Sequence, residues 1–538
     1  MNVKNQIKTL VENSLKELKL EGLKFVIEKP NKKENGDFST NVSMEASKIL
    51  KQNPRDVANN IISNIKNSSF IEKIEIAGPG FINFYIKSQY YLESINEIIE
   101  KADKYGSSTI GHNEKINIEY VSANPTGILH VGTARGAAYG DSLSRIYKFA
   151  GFIPTREYYI NDGGNQIFNL GKSIKVRYEN ICGINSELPE DGYHGKEIIE
   201  IAKNIFDENG TEKLNENIEY FTNIGVEKLI SRIKKDLKDF GVEFDIWTSE
   251  KAIRSSGKIE ECLKILEKMG NIYEEDNATW LKTSKYGDEK DRVIIKSDGS
   301  YTYIVPDIAY HLDKINRGYD KLIDVLGSDH HGYQGRLKAA IDALGYNKDK
   351  LEIKLLQMVK LIKDGQEIKM SKRTGETITI SELIEEVGIN AARYFFSSRS
   401  LDTQMNFDIT LATKKTNENP VYYVEYAHAR ICSIIKNAKD VQHVKSYETI
   451  NSDSAIELVK KVCEFEEIVE TSAIKQLPHL ITNYVYELAN LFHSYYSKEK
   501  IISDDIIYTS ERINFIKAVK ITIKNALYLI GVEAVEEM

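Results

Sequence analysis

The chain is poor in the residues that build metal or disulfide frameworks. It has only four cysteines in 538 residues: Cys182, Cys262, Cys432 and Cys463. They lie far apart, and none belongs to a CxxC or CxH pair, so neither a zinc site nor a disulfide scaffold is expected. Reduced thiols fit a cytoplasmic compartment. No apolar run approaches the ~20 residues of a membrane span, so no membrane partner is expected. The first residues do not read as a signal peptide. Ile7, Leu10, Val11, Leu15 and Leu18 recur at helical spacing among Lys and Glu, the pattern of an amphipathic helix. The GxxxxGK[ST] phosphate loop is missing, which argues against P-loop chemistry. There is no internal repeat and no low-complexity tract. Positive charge is also in deficit: the formal net charge is -8. That argues mildly against a nucleic-acid partner, although an acidic protein can carry a local basic surface.

What is present is globular: 41% hydrophobic and 28% charged residues. The length exceeds one ordinary core and predicts three or four domains. Residues 1–105 read as a small α+β unit with a turn at Ala77–Gly80 and a closing strand "FINFYI". A linker, "YGSSTIGHNEK", leads into strand-like "INIEYVS", a helix ending at Gly151, and strand-like "TREYYIND". Strand, helix, strand opens a doubly wound parallel sheet of α/β class. The pattern is interrupted over about 172–275 by a helical insertion. It resumes in strand-like "DRVIIKSDGSYTYIVPDIAY" and ends near 385. From 386 to 538 the periodicity is helical almost throughout, with a break at Asn419-Pro420.

Two segments carry chemistry. "EYVSANPTGILHVGTARGAAYGD" (119–141) is a strand, a turn and a helix start, the place where α/β sheets bind phosphates. His130 and Thr133 lie three apart, on one face of the expected first turns. Gly127, Gly132 and Gly136 remove side chains there, which lets a base or phosphate come close. Taken alone, His130 also fits a core histidine among small packing residues. The second segment, "IKMSKRTGETITI" (368–380), offers Lys369, Lys372 and Arg373 as point charges for a polyphosphate. Taken alone, it also fits a solvated basic loop.

Together, in this order, "HVGT" and "KMSKR" resemble the HIGH and KMSKS signatures of class I aminoacyl-tRNA synthetases. The surroundings resemble the arginyl-tRNA synthetases along essentially the whole chain: "SANPTGILHVGTARGAAYGD", "EYYINDGGNQI", "FDIWTSE", "GDEKDRV", "YTYIVPDIAYHLDK", "GSDHHGYQGRLKAA", "NPVYYVEYAHARICS" and "GDFSTNVSM". The resemblance implies a Rossmann-like catalytic domain, 106–385. It also implies an N-terminal domain that holds the tRNA elbow and an all-α anticodon-binding domain. The implied activity is ligation of L-arginine to its tRNA through an arginyl-adenylate, with ATP and Mg2+ and no zinc, by a monomer. The implied ATP site is Ala123, Asn124, Pro125, Thr126, Gly127, His130, Gly132, Thr133, Met370, Ser371 and Lys372. The implied catalytic residues are His130, Thr133, Lys369 and Lys372. Glu119, Asn124, Tyr303 and Asp307 are implied for arginine, whose planar guanidinium wants carboxylate partners. Glu119 and Asp307 each stand near the end of a strand-like segment.

The chain departs from the family at three places. Thr133 replaces the second histidine, Arg373 replaces a serine, and "NAARYF" matches only loosely the family's Asp-Ala-Leu-Arg motif. Two other readings stay open: a synthetase for another amino acid, and a paralogue that binds RNA without chemistry. Tyr422, Tyr423 and Tyr426 suit stacking on unpaired bases or packing between helices.

Overall fold

The computed structural model describes residues 3–65, 68–328, 332–368 and 378–538. The N-terminal helix Val3–Glu17 buries Val3, Ile7, Val11 and Leu15, the stripe its spacing predicts. A four-stranded antiparallel sheet follows, with Phe81–Ile86 pairing both Phe38–Thr40 and Ile71–Ala77. The turn at Ala77–Gly80 is closed by Gly80 N–H donating to Ala77 O (3.1 Å).

The central sheet has five parallel strands: β1 (Lys115–Glu119), β2 (Ile153–Ile160), β3 (Ile246–Ser249), β4 (Lys321–Gly327) and β5 (Leu351–Leu356). Their spatial order is β5-β4-β1-β2-β3, and every neighbouring pair is parallel. Strand order therefore reverses between β1 and β4, and ligands of doubly wound sheets bind outside the carboxyl ends at that point. Helix α1 (Val131–Phe149) links β1 to β2 and buries Ala134, Ala137, Ala138 and Leu143. It lies tight on the strand end: a Cβ on Gly140 would fall 2.2 Å from the buried Tyr120 ring.

Three sequence expectations are corrected. The span 172–275 is not one helical insertion. Three helices run from Gly164 to Asp239, and "FDIWTSE" then supplies β3 at the sheet edge. The strand-like stretch before "PDIAY" does not continue the central sheet. Arg292–Ile295 joins a separate antiparallel sheet, and helix α2 (Ile304–Asn316) follows. Pro306 is acceptable in α2 because the first turn needs no N–H there. Ile304, Ile308, Leu312 and Ile315 keep helical spacing and are buried. Asp307 thus stands in the first turn of a helix, not at a strand end. Finally, the region after 386 is not helical throughout. Met405–Asp408 pairs in parallel with Val359–Lys363, with Met405 and Phe407 inward. Four alternating residues between helical stretches are too short a signal to stand out. The helical bundle proper begins at Pro420, capped by the Asn419 side chain.

The ends of the sheet strands are held by charge. Register places Glu119 of β1 opposite Asp324 of β4 and Glu157 of β2. Three carboxylates side by side repel, and α2 and the residue just past its end answer with three cations. Lys314, fully buried, donates to Glu119 (2.5 Å) and Asp324 (2.9 Å). His311 bridges Asp324 and the Asp307 carbonyl, at 2.7 Å each. Arg317 donates to Glu157 (2.9 Å). Both partners of His311 are acceptors, so both ring nitrogens carry protons. Burial opposes that charge, yet the adjacent Asp324 holds the imidazole's pKa above its ordinary value. Burial likewise opposes charge on Lys314 and Asp324; their mutual attraction prevails, raising the lysine's pKa and lowering the carboxyl's.

Lys314→Met is expected to lower unfolding free energy at pH 7 by ~3–5 kcal/mol, because two buried carboxylates lose their shared partner. Its Tm deficit against the wild type should narrow from pH 8 to pH 5 as those carboxyls take up protons. A deficit independent of pH would refute the charge argument.

Candidate functional site

The chain leaves β1 through strained backbone. Val121 and Ser122 have φ of +69° and +37°, rare for any residue with a side chain and rarer for a β-branched one. The surroundings hold them. Ser122 Oγ donates to Glu119 Oε1 (3.0 Å) and accepts from Tyr159 N–H (3.1 Å). Tyr158 Oη donates to the Ala123 carbonyl (2.8 Å). Asn124 is exposed but oriented: its Nδ2 donates to Gln166 (2.6 Å), and its Oδ1 accepts from Asn161 (2.8 Å). "EYYINDGGNQI" therefore fixes the turn that precedes the first signature. Pro125 is buried, and Thr126 N–H donates to the Asn124 carbonyl (2.8 Å). A Cβ on Gly127 would lie 3.2 Å from Glu197, which brings the insertion beside this loop.

His130 is not in the first turn of α1; it is the N-cap. Its Nδ1 accepts from Gly132 N–H (3.1 Å), so the neutral ring carries its proton on Nε2. Gly132 makes room for this, since a Cβ there would lie 3.0 Å from the ring. Gly136 faces Leu356 of β5 rather than open space. The first four amides of α1 are all engaged: Val131 N–H with the Ile378 carbonyl (3.2 Å), Gly132 with the ring, and Thr133 and Ala134 with the His130 carbonyl. The helix field remains, but its end presents no spare N–H, contrary to the expectation from sequence. Thr133, half-buried, is the third residue of the helix.

The second signature, with Lys369, Met370, Ser371, Lys372 and Arg373, lies outside the described residues. The chain that follows it is described from Ile378 on and is joined to the first signature. His130 and Thr379 form an antiparallel bridge, and Ile380 N–H donates to the Leu129 carbonyl (3.1 Å). The segment Ile378–Ile380, which follows the second signature in sequence, lies against the start of α1.

The pocket side is built by α2. Tyr303 is its N-cap and is 64% exposed, its hydroxyl accepting from Arg336 (2.5 Å). Tyr333 stacks on Tyr303 (6.0 Å) and donates to Asp307. Burial pushes the Asp307 carboxyl up to about 6; Tyr333 and His311 pull it down, while Glu119 and Glu250 add to the rise. Glu119 is buried, with both oxygens occupied by Lys314 and Ser122, so of the two carboxylates expected for a guanidinium Asp307 is the less committed.

Sequence reasoning missed Glu250, which heads the helix after β3 and pairs with Arg254 (2.6 Å), and it missed Tyr159. The Tyr159 hydroxyl is buried with no hydrogen-bond partner among the described residues, and its pKa is raised first by burial and then by Asp307, Glu250 and Glu119. A visible signal existed: 307, 311 and 314 share one face of α2, and charged residues on an apolar stripe mark a polar cluster.

A guanidinium ligand should bind the ionised form of Asp307. Calorimetry with free arginine is expected to show affinity falling about tenfold from pH 7 to pH 5, as the carboxyl protonates through its midpoint near 6. Asp307→Asn should bind weakly at every pH. A pH-independent wild-type affinity would remove Asp307 from the pocket.

The comparisons agree along the chain. Residues 94–435 match the family model "tRNA synthetases class I (R), catalytic domain". Residues 5–86 match "Arginyl tRNA synthetase N terminal domain", and 424–538 match "DALR anticodon binding domain". The arginine–tRNA ligase of Bacillus subtilis is 47% identical over 557 aligned residues, covering 100% of both chains, and that of Bacillus cereus 46% over 556, again with full coverage. The solved Thermus thermophilus arginyl-tRNA synthetase superposes with a TM-score of 0.79 at 19% identity, covering 99% of this chain and 100% of that one, a likeness of fold. With its parallel sheet and these matches from one end to the other, the chain belongs to the arginyl-tRNA synthetases of class I.

Proposed function

We propose that the chain ligates L-arginine to its tRNA at the point where β1 and β4 diverge. The observation that carries the reading is the first signature at that switch point, with His130 bridged to Thr379. An arginine carboxylate oxygen attacks the α-phosphorus of ATP, pyrophosphate leaves, and arginyl-adenylate forms. A hydroxyl of the terminal ribose then attacks the carbonyl carbon, and AMP leaves. Catalysis is orientation plus electrostatic stabilisation of the phosphoryl transition state.

Asp307, flanked by Tyr303 and Tyr333, takes the guanidinium. Glu119 completes the pocket wall through the Lys314 network. Asn124, held by Gln166 and Asn161, meets the amino acid's main chain. Ala123–Gly127 and Gly132 border the nucleotide. His130 donates from Nε2 to a phosphate oxygen, and Thr133 adds a weaker neutral donor. Lys369, Met370, Ser371 and Lys372 serve the triphosphate, which enters as its Mg2+ complex. The protein acts as a cytoplasmic monomer without zinc. No described helix is long and apolar enough to cross a membrane.

The bundle from Pro420 reads the anticodon, and the N-terminal unit holds the tRNA elbow. Tyr422 and Tyr426 lie parallel, with planes 5° apart. Arg430 lies over the Tyr426 ring (5.1 Å to its centroid). Tyr423 is engaged instead with Asn490 (3.2 Å) and His493, so it packs between helices. A cleft of about 810 Å³ beside Tyr422, lined also by Asn390, Lys414, Lys415, Glu425 and Met538, has room for a base.

Charging of purified tRNA with labelled arginine tests the whole reading; activity with another amino acid and none with arginine would overturn it. Tyr422→Ala should raise KM for tRNA about tenfold, as one lost stacking contact implies, and leave KM for arginine and ATP unchanged. His130→Ala should slow adenylate formation ~100- to 1000-fold and lose about 1 kcal/mol of stability with the cap. His130→Asn separates the two roles: asparagine caps well, so stability should return while the rate stays low. Recovery of both would reduce His130 to a cap.

A further inference from the structure

We propose that Arg393 is a positioning residue: it transmits the placement of the anticodon-binding bundle to the helix that carries the first signature. The inference rests on the reading that the chain charges tRNA, and it concerns the loosely family-like "NAARYF", which the site itself does not use.

Arg393 sits on helix Ile389–Ser397 and is fully buried. Its guanidinium reaches three separate parts of the molecule. Nη2 donates to Asp141 on α1 (2.6 Å), Nη1 to the Phe240 carbonyl at the end of the insertion (3.3 Å), and Nε to the Ile530 carbonyl where the last bundle helix ends (3.0 Å). The bundle's final turn is shaped around it, since a Cβ on Gly531 would lie 2.2 Å from the guanidinium. Neighbours on the same helix continue the attachment. Asn390 donates to Glu425 (2.7 Å) and accepts from Glu533 N–H (3.0 Å), and Tyr394 donates to the Thr482 carbonyl (3.3 Å).

Asp141 lies on the helix capped by His130, roughly 16 Å along its axis at 1.5 Å per residue. The second side of the frame starts at the same cap. Thr379 bridges His130 and caps helix Ile380–Val387; Gly388 (φ +81°) turns the chain, and helix Ile389–Ser397 brings Arg393 to Asp141. Two corners thus define a closed frame: His130–Thr379 at the site and Asp141–Arg393 at the bundle. A buried ion pair adds little net stability over apolar residues of the same shape. What a planar fork with three fixed acceptors does add is orientation.

Two variants test this. Arg393→Lys keeps the charge and loses the fork. Asp141→Asn nearly keeps the shape, weakens the pair from the α1 side and leaves the contacts to the Phe240 and Ile530 carbonyls intact. Each is expected to lower kcat for arginine charging about tenfold, with KM for arginine, ATP and tRNA within twofold of wild type and Tm within a few degrees. The double variant should also lose about tenfold, because residues acting as one unit are not additive. Wild-type kcat in both single variants overturns the proposal. So does a hundredfold additive loss in the double, or a kcat loss matched by a tRNA KM or Tm change. If Arg393→Lys does not fold, Asp141→Asn alone decides by the same split of kcat from KM. Failure of the wild-type protein to charge tRNA with arginine would instead sink the functional reading on which the joint depends.

Discussion

A buried lysine holds the two strands that matter most. Lys314 sits between Glu119 and Asp324, residues that register forces opposite each other where the strand order reverses. Without a cation there, two adjacent buried carboxylates would repel across β1 and β4 at their carboxyl ends, beside the candidate site. The same helix carries His311, which ties the Asp307 backbone to that pair. Pocket and sheet are therefore one electrostatic object. Burial raises the Asp307 pKa, and His311, which belongs to this cluster, pulls it back.

The turn after β1 illustrates how strain is kept. Two side-chain-bearing residues with positive φ would relax if free. They persist because Glu119, Tyr159 and Tyr158 hold the Ser122 hydroxyl and the Ala123 carbonyl from outside. Immediately downstream, the start of α1 satisfies its own amides with the His130 ring, the His130 carbonyl and Ile378. This end is rigid and closed, in contrast to a helix terminus left open for an anion. What this end offers a ligand is side chains, His130 and Thr133, and not backbone amides.

Much of this was legible beforehand. The doubly wound class, the amphipathic first helix, the turn at Ala77–Gly80 and the break at Asn419-Pro420 all follow from spacing or from residues with one strong conformational preference. The errors share a cause. Ile246–Ser249 and Met405–Asp408 are four-residue strands whose partners lie far away in sequence, so pairing and not periodicity makes them strands. Tyr303 and Asp307 read as strand because "SYTYIVPDIAY" alternates over its first residues; Pro306 and the later 3.6-residue spacing decide for a helix. Glu119 was found, but its engagement with Lys314 was not, since an ion pair between residues 195 positions apart leaves no local mark. His130 as a cap was hidden for a similar reason: the ring's direction depends on the absence of a side chain at Gly132.

The clamp between Leu129–Val131 and Ile378–Ile380 has a consequence for the family's history. It closes a very long loop of chain at one fixed point. The entropy of closing a loop grows only logarithmically, at ~0.6 kcal/mol for each doubling of length. Once the two segments meet, the number of residues between them is nearly free. The helices between β2 and β3, and the small antiparallel sheet before α2, occupy that span without disturbing the meeting point. Lineages can therefore lengthen or shorten this stretch at little thermodynamic cost. The handful of residues at the clamp itself has no such latitude.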